Sequence, residues 1–112
     1  MEAINENIQM LLTSIKRSSV YQEYKKYKEL IDRIQVLKVR VDQMRTSNFK
    51  LFNETDNVYF FEKADQLHKE SAELRSFPEV NAYLDAELAL CRMMQEICGN
   101  LIEGIDMDIP EL

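Results

Sequence analysis

A chain of 112 residues has material for one modest hydrophobic core, and its 46% apolar and 30% charged composition places it with folded chains rather than disordered or membrane-spanning ones. It holds two glycines and two prolines, where an average chain of this length carries about thirteen of these residues together, and tight hairpin turns depend on them, so barrels and sandwiches are excluded. The formal net charge is −6.

Ile4, Ile8, Leu11 or Leu12, and Ile15 recur at helical spacing and predict an N-terminal helix over residues 1–17. It closes on Lys16-Arg17, cations that suit the negative end of a helix. Ser19 with Gln22 predicts a capping box that opens the next helix. There Val20, Tyr24, Tyr27, Ile31 and Ile34 form one stripe. Leu37, Val41 and Met44 form a second, rotated by about 80°. Supercoil drift of about 20° per heptad accounts for half of that offset, so a kink or short break is expected near Gln35.

Asn53-Glu54-Thr55-Asp56-Asn57 is a run of turn-forming residues. The helix after it carries Phe60 or Phe61, Ala64, Leu67 and Leu74, and stops at Ser76-Phe77-Pro78. Ser76 and Glu79 predict another capping box, with Pro78 in the first helical turn. The last helix bears Val80, Leu84, Cys91, Met94, Cys98, Leu101 and Ile105. Leu84, Cys91, Cys98 and Ile105 recur every seventh residue, which is a packing seam. Leu88, Leu90, Ile97 and Ile102 widen it. Residues 106–112, with Pro110 and three acids, form an acidic tail expected to fray.

These elements predict an all-α single domain over residues 1–112: four to five helices in an elongated bundle with a long central hairpin. A thin bundle leaves helix faces uncovered, so the chain is expected to associate with itself as a dimer or tetramer. The expected interface is Val80, Leu84, Cys91, Met94, Cys98 and Leu101 on the last helix.

Charge is sorted along the chain. Residues 16–50 hold ten lysines and arginines against four acids, and residues 51–112 hold four against fourteen. A basic helix paired with an acidic one, within the chain or across a dimer, explains this pattern. The alternative is an RNA-binding module built on segment 16–50, with Lys25, Lys26, Lys28, Arg33 and Arg40 facing phosphates. The acidic balance of the whole chain and the lack of a glycine–aromatic recognition motif favour the first reading. Tyr24 and Tyr27 fall on the apolar side and are read as core.

Chemistry-bearing motifs are few. Gly99 and Gly104 cannot build a phosphate-cradling loop, His68 is the single histidine, and no Gly-x-Ser-x-Gly elbow is present. The chain is read as non-enzymatic, without a metal or cofactor, and His68 as an exposed helical residue. Cys91 and Cys98 lie about 10.5 Å apart along one helix, beyond the reach of a disulfide. They are read as small buried hydrophobes in the seam; as iron–sulfur ligands they would need a second chain to complete four thiolates. Glu87 falls inside the seam and calls for a polar partner. Of the pair Met93-Met94, Met94 is read as core. The first residues carry no basic segment, and no apolar run exceeds four residues, so no leader, no membrane insertion and a cytoplasmic location are expected.

Laid out in order, several segments resemble the YlbF/YmcA family of small helical bacterial proteins. They are Tyr21-Gln-Glu-Tyr24, Arg45-Thr-Ser-Asn48-Phe49-Lys-Leu51, Pro78-Glu-Val80-Asn-Ala-Tyr83-Leu84-Asp-Ala86-Glu87 and Cys91-Arg92-Met93-Met94-Gln95. The resemblance runs from about Ser19 to Asp108. It implies a regulator that works in complexes with its paralogues and a third protein. Such complexes influence competence, sporulation and biofilm formation, and are linked to RNA maturation by ribonuclease Y, so paralogues and a ribonuclease are implied partners. It also implies iron–sulfur clusters held by cysteines near the C-terminus of relatives, whereas this chain has none after Cys98. Phe52 stands where that family pattern has glutamine. The function expected is that of a regulator or adaptor acting through protein–protein contacts.

Overall fold

The computed structural model describes residues 1–54 and 57–105, and all their regular structure is helical. In chain order the helices are α1 (Glu2–Arg17), α2 (Ser19–Arg33), α3 (Gln35–Glu54), α4 (Asn57–Arg75) and α5 (Pro78–Gly104). They fall into two compact units, Lys25–Leu84 and Met1–Tyr24 with Asp85–Leu112, so α2 and α5 each contribute to both.

The Lys25–Leu84 unit is built on the hairpin of α3 and α4, which pack against each other. Their contacts run in opposite senses along the two helices. Near the turn the Phe52 and Phe60 rings meet edge to face at 5.9 Å; at the far end Arg40 Nη2 lies 3.4 Å from Glu73 Oε1. Ile31, Leu37, Val41, Leu51, Leu74, Val80, Tyr83 and Leu84 make the core. The two stripes predicted for residues 20–44 therefore point inward, with Tyr24, Tyr27, Ile34 and Met44 half-buried beside the fully covered positions. Phe60 is half-buried whereas Phe61 is 82% exposed, which settles the alternative the sequence left open. The turn expected over Asn53–Asn57 includes Thr55 and Asp56, which lie outside the described residues.

The break expected near Gln35 occurs one residue earlier, at Ile34. No glycine or proline makes it. The Ile34 N–H donates to the Ile31 carbonyl at 3.0 Å, tightening the last turn of α2, and Lys38 N–H then reaches the Ile34 carbonyl at 3.0 Å. The Gln35 side-chain amide donates to the Asp32 carbonyl at 3.0 Å. Two backbone bonds and one side chain thus satisfy groups that the interruption would orphan.

Both predicted capping boxes need correction. Ser18, not Ser19, joins the first two helices. Its backbone is extended (φ −66, ψ 149), its hydroxyl donates to the Ile15 carbonyl at 2.6 Å and accepts from Tyr21 N–H at 3.2 Å. Gln22 reaches back to the Lys16 carbonyl instead of closing a box with Ser19. One serine thus caps the end of α1 and the start of α2. At the other joint the Ser76 hydroxyl donates to the Glu73 carbonyl and closes α4, while α5 starts at Pro78 with Asn81 N–H on the Phe77 carbonyl, so Phe77 rather than Ser76 holds its cap position. Pro78 does open α5 as its first residue, where a missing N–H costs nothing.

In the second unit α1 buries none of its residues, although Ile15 is half-buried. In the α5 part of the unit, Ala86 is buried and Glu87, Leu90, Met93, Ile97 and Ile102 are half-buried. The seventh-residue line chosen from the sequence lies about 90° round the helix from this face. Cys91, Cys98 and Ile105 are consequently exposed, so neither cysteine is buried in the core of the single chain as expected. Met94, read as core, is 41% exposed, and Met93 takes the inner place. The tail, residues 106–112, lies outside the described residues.

Candidate interaction surface

Leu88 apart, the exposed large apolar side chains and cysteines of α5 and the residue after it fall on one line. Cys91, Met94, Cys98, Leu101 and Ile105 are spaced by alternate steps of three and four residues, the pattern by which one helix seats against another. Ile105 continues the helical line, its N–H bonding the Leu101 carbonyl at 3.3 Å. Val80 and Leu84, expected in the same interface, do not join it. They are 0% and 8% exposed, buried in the chain itself, so neither is available to a partner in this conformation.

The helix α1 carries a comparable line. Ile4, Ile8, Leu11 and Leu12 are all exposed, and Ile15 ends the stripe. Its amphipathic pattern is that of a helix covered along one side, yet its own chain half-covers only Ile15 and leaves the rest of that side exposed. A third exposed group lies on the hairpin, where Phe49, Phe52, Tyr59 and Phe61 stand out near the turn.

The basic residues proposed for partner or RNA contact are in unequal situations. Lys25, Lys26 and Arg33 are exposed, and Lys26 Nζ sits 5.2 Å from the Tyr27 ring centre. Lys28 Nζ is 3.2 Å from Asp32 Oδ2, and Lys38 Nζ approaches the other oxygen at 3.6 Å from beyond the break. Hydrogen bonding from Lys28, aided by the charges of Lys28 and Lys38, holds the Asp32 carboxyl below the usual carboxylate range. Arg40 is occupied within the unit: it pairs with Glu73 and lies 5.7 Å from the Phe77 ring centre. A second arginine does similar work where α3 meets the start of α5. Arg45 Nη2 donates to the Tyr83 hydroxyl at 3.4 Å, over a ring that is itself buried. Sequence reasoning missed Tyr83 as core, although its place three residues after Val80 was the available signal.

Two grooves line the α3–α4 hairpin. The smaller, of about 260 Å³, has Leu51 and Leu67 at its base with Ser47, Lys50, Lys63, Gln66 and Glu70 around it. Neither groove includes a histidine or cysteine, and His68 is exposed on α4. Among the described residues no group of three or more His, Cys, Asp or Glu side chains is placed to hold a metal ion. The iron–sulfur expectation meets the same limit. One chain supplies two thiols seven positions apart on a single helix, half the thiolates a cluster requires, so one chain does not fit it. Among the described residues no helix is long and apolar enough to cross a membrane.

The arrangement defines a small all-α protein with uncovered apolar helix faces. Residues 4–106 match the family described as control of competence regulator ComK, YlbF/YmcA, and the chain belongs to that family. No curated protein and no solved structure matches it significantly. Family membership carries a regulatory role in general terms.

Proposed function

We propose that the chain is a non-enzymatic regulator or adaptor that acts through protein–protein contacts, the first of them with copies of itself. The observation that carries this reading is the exposed line Cys91, Met94, Cys98, Leu101 and Ile105 on α5. Single apolar side chains scattered over a surface need no explanation, but a continuous line at helix-pairing spacing does. The acidic balance of residues 51–112 and the basic balance of residues 16–50 add orientation to such contacts more than affinity.

For the pathway, membership of a family of competence regulators supports a role in complexes of the kind already implied for YlbF/YmcA proteins. Paralogues and ribonuclease Y are the partners to seek. Affinity capture from the native host under anaerobic conditions, with the bound proteins identified by mass spectrometry, tests this. Recovery of paralogues or the ribonuclease supports the regulatory complex. Recovery of the chain alone, at an oligomeric mass, leaves self-association and removes the pathway. Salt-sensitive RNA binding abolished by Lys25→Glu and Lys26→Glu would replace both with the nucleic-acid alternative.

A further inference from the structure

The joint between α2 and α3 is interrupted where the local sequence gives no cause. Asp32-Arg33-Ile34-Gln35-Val36-Leu37 contains no glycine or proline, and every residue in it is tolerated in a helix interior. Yet Ile34 stands outside both helices, and its N–H takes the carbonyl of Ile31, three residues back. Such a step within a longer helical run marks a hinge or a demand from packing. Packing does make a demand. In an unbroken helix the stripe of Tyr27 and Ile31 lies about 80° from that of Leu37 and Val41, and the interruption leaves Ile31, Leu37 and Val41 all buried.

Two contacts belong to the interrupted chain alone. Asp32 and Lys38 are six residues apart, which in a continuous helix sets them about 120° apart round the axis and about 9 Å along it, where they are not neighbours. Here Lys38 Nζ lies 3.6 Å from Asp32 Oδ1. The Gln35 side-chain amide donates to the Asp32 carbonyl at 3.0 Å, an acceptor that a continuous helix gives to the Val36 N–H. The Lys28–Asp32 pair at 3.2 Å differs: as an i,i+4 contact it fits either form.

We propose that Ile34 is a hinge with two settings: the interrupted one, latched by Lys38 and Gln35 on Asp32, and one in which α2 runs into α3 as a single helix. The side chains of the ion pair are 44% and 39% exposed, so water competes for the latch, and fusion restores the regular backbone bonding given up at Ile34. Opening turns Tyr27 and Ile31 about 80° from the side held by Leu37 and Val41. It also changes where the exposed Lys25 and Lys26 point from the α3–α4 hairpin. The hinge regulates how α2 is presented, and it does not depend on self-association.

Nuclear magnetic resonance of the isotope-labelled full-length chain tests this through the Cα chemical shift of Ile34, which reports whether that residue is helical. The hinge gives wild type a minor population of about 0.1–10% with a helical Ile34. Slow exchange shows it by saturation transfer, intermediate exchange by relaxation dispersion, and fast exchange as a displaced average shift. Lys38→Gln removes a contact made only in the interrupted setting and raises that population about two- to fivefold. Lys28→Gln removes a contact common to both settings and does not raise it. A Lys38→Gln chain whose Ile34 shift and exchange match wild type overturns the hinge. So does a minor state in which Ile34 has the shifts of disordered chain, or an equal rise in both lysine variants. If Lys38→Gln fails to fold, Gln35→Met takes its place, since it removes the other latch contact at similar helix propensity. A raised helical population at Ile34 then supports the hinge, and an unchanged one refutes it.

Discussion

Val80→Ala separates a core role from an interface role at a position where the sequence alone suggests the second. Val80 has 0% exposure. Removing two methyl groups forfeits about 1.6 kcal/mol of burial at roughly 0.8 kcal/mol each. An incompletely collapsed cavity of a few tens of Å³ adds about 1 kcal/mol. A loss near 2.5 kcal/mol lowers Tm by about 10 °C in a domain of this size. Thermal unfolding followed by circular dichroism at low and high protein concentration measures this, with light scattering for the mass. The expected result is the same drop at both concentrations and an unchanged assembly. Leu101→Ala is the counterpart: at 60% exposure it costs the single chain no more than about 0.5 kcal/mol, and it weakens assembly instead. If Val80→Ala moved Tm by less than about 3 °C while the mass fell, the burial argument would be refuted and Val80 would belong to the interface after all.

Gly99 lies inside α5 with nothing within 4 Å of where a Cβ would stand, so Gly99→Ala is expected to add about 0.5–1 kcal/mol through helix propensity. A fall in Tm, or loss of assembly, would show that a partner's backbone approaches there. Tyr83→Phe removes the acceptor of the Arg45 hydrogen bond and is expected to cost about 1 kcal/mol in denaturant unfolding; no change would mean that ring burial alone holds the contact. The lowered pKa of Asp32 gives a stability contribution that is complete above the unfolded value of about 3.9 and is lost as pH falls through the lower folded value. Acid titration of helicity in wild type and Asp32→Asn checks this. The variant should lack that acid-side step, and an identical profile would sink the idea that Lys28 and Lys38 hold the break through this carboxylate.

How much of this was legible depended on whether periodicity had one reading or two. From Val20 to Met44 each stripe has a single apolar side, and Ile31, Leu37 and Val41 are buried as expected. The 80° offset between the stripes located the break to within one residue. In α5 the apolar residues occupy most of the circumference, and spacing cannot say which side its own chain covers. The line through Leu84, Cys91, Cys98 and Ile105 is regular, but only Leu84 is covered. Met93 and Ile97 turn inward because they follow the face begun by Tyr83 and Ala86. The joints failed for another reason. Ser18 and Ser19 are equally good caps as residue types, and Ser76 can serve the helix before it as well as the one after; only backbone geometry distinguishes these uses.

The joint at Ser18 has a bearing on tolerance to insertion. One residue separates α1 from α2, and its hydroxyl is engaged on both sides. Adding or removing a residue here would shift the phase of the α1 stripe by about 100° and its position by about 1.5 Å, turning Ile4, Ile8 and Leu11 to a different side. The length of this joint therefore fixes which way the α1 stripe faces. A single-residue deletion would re-aim the whole stripe without altering any residue on it.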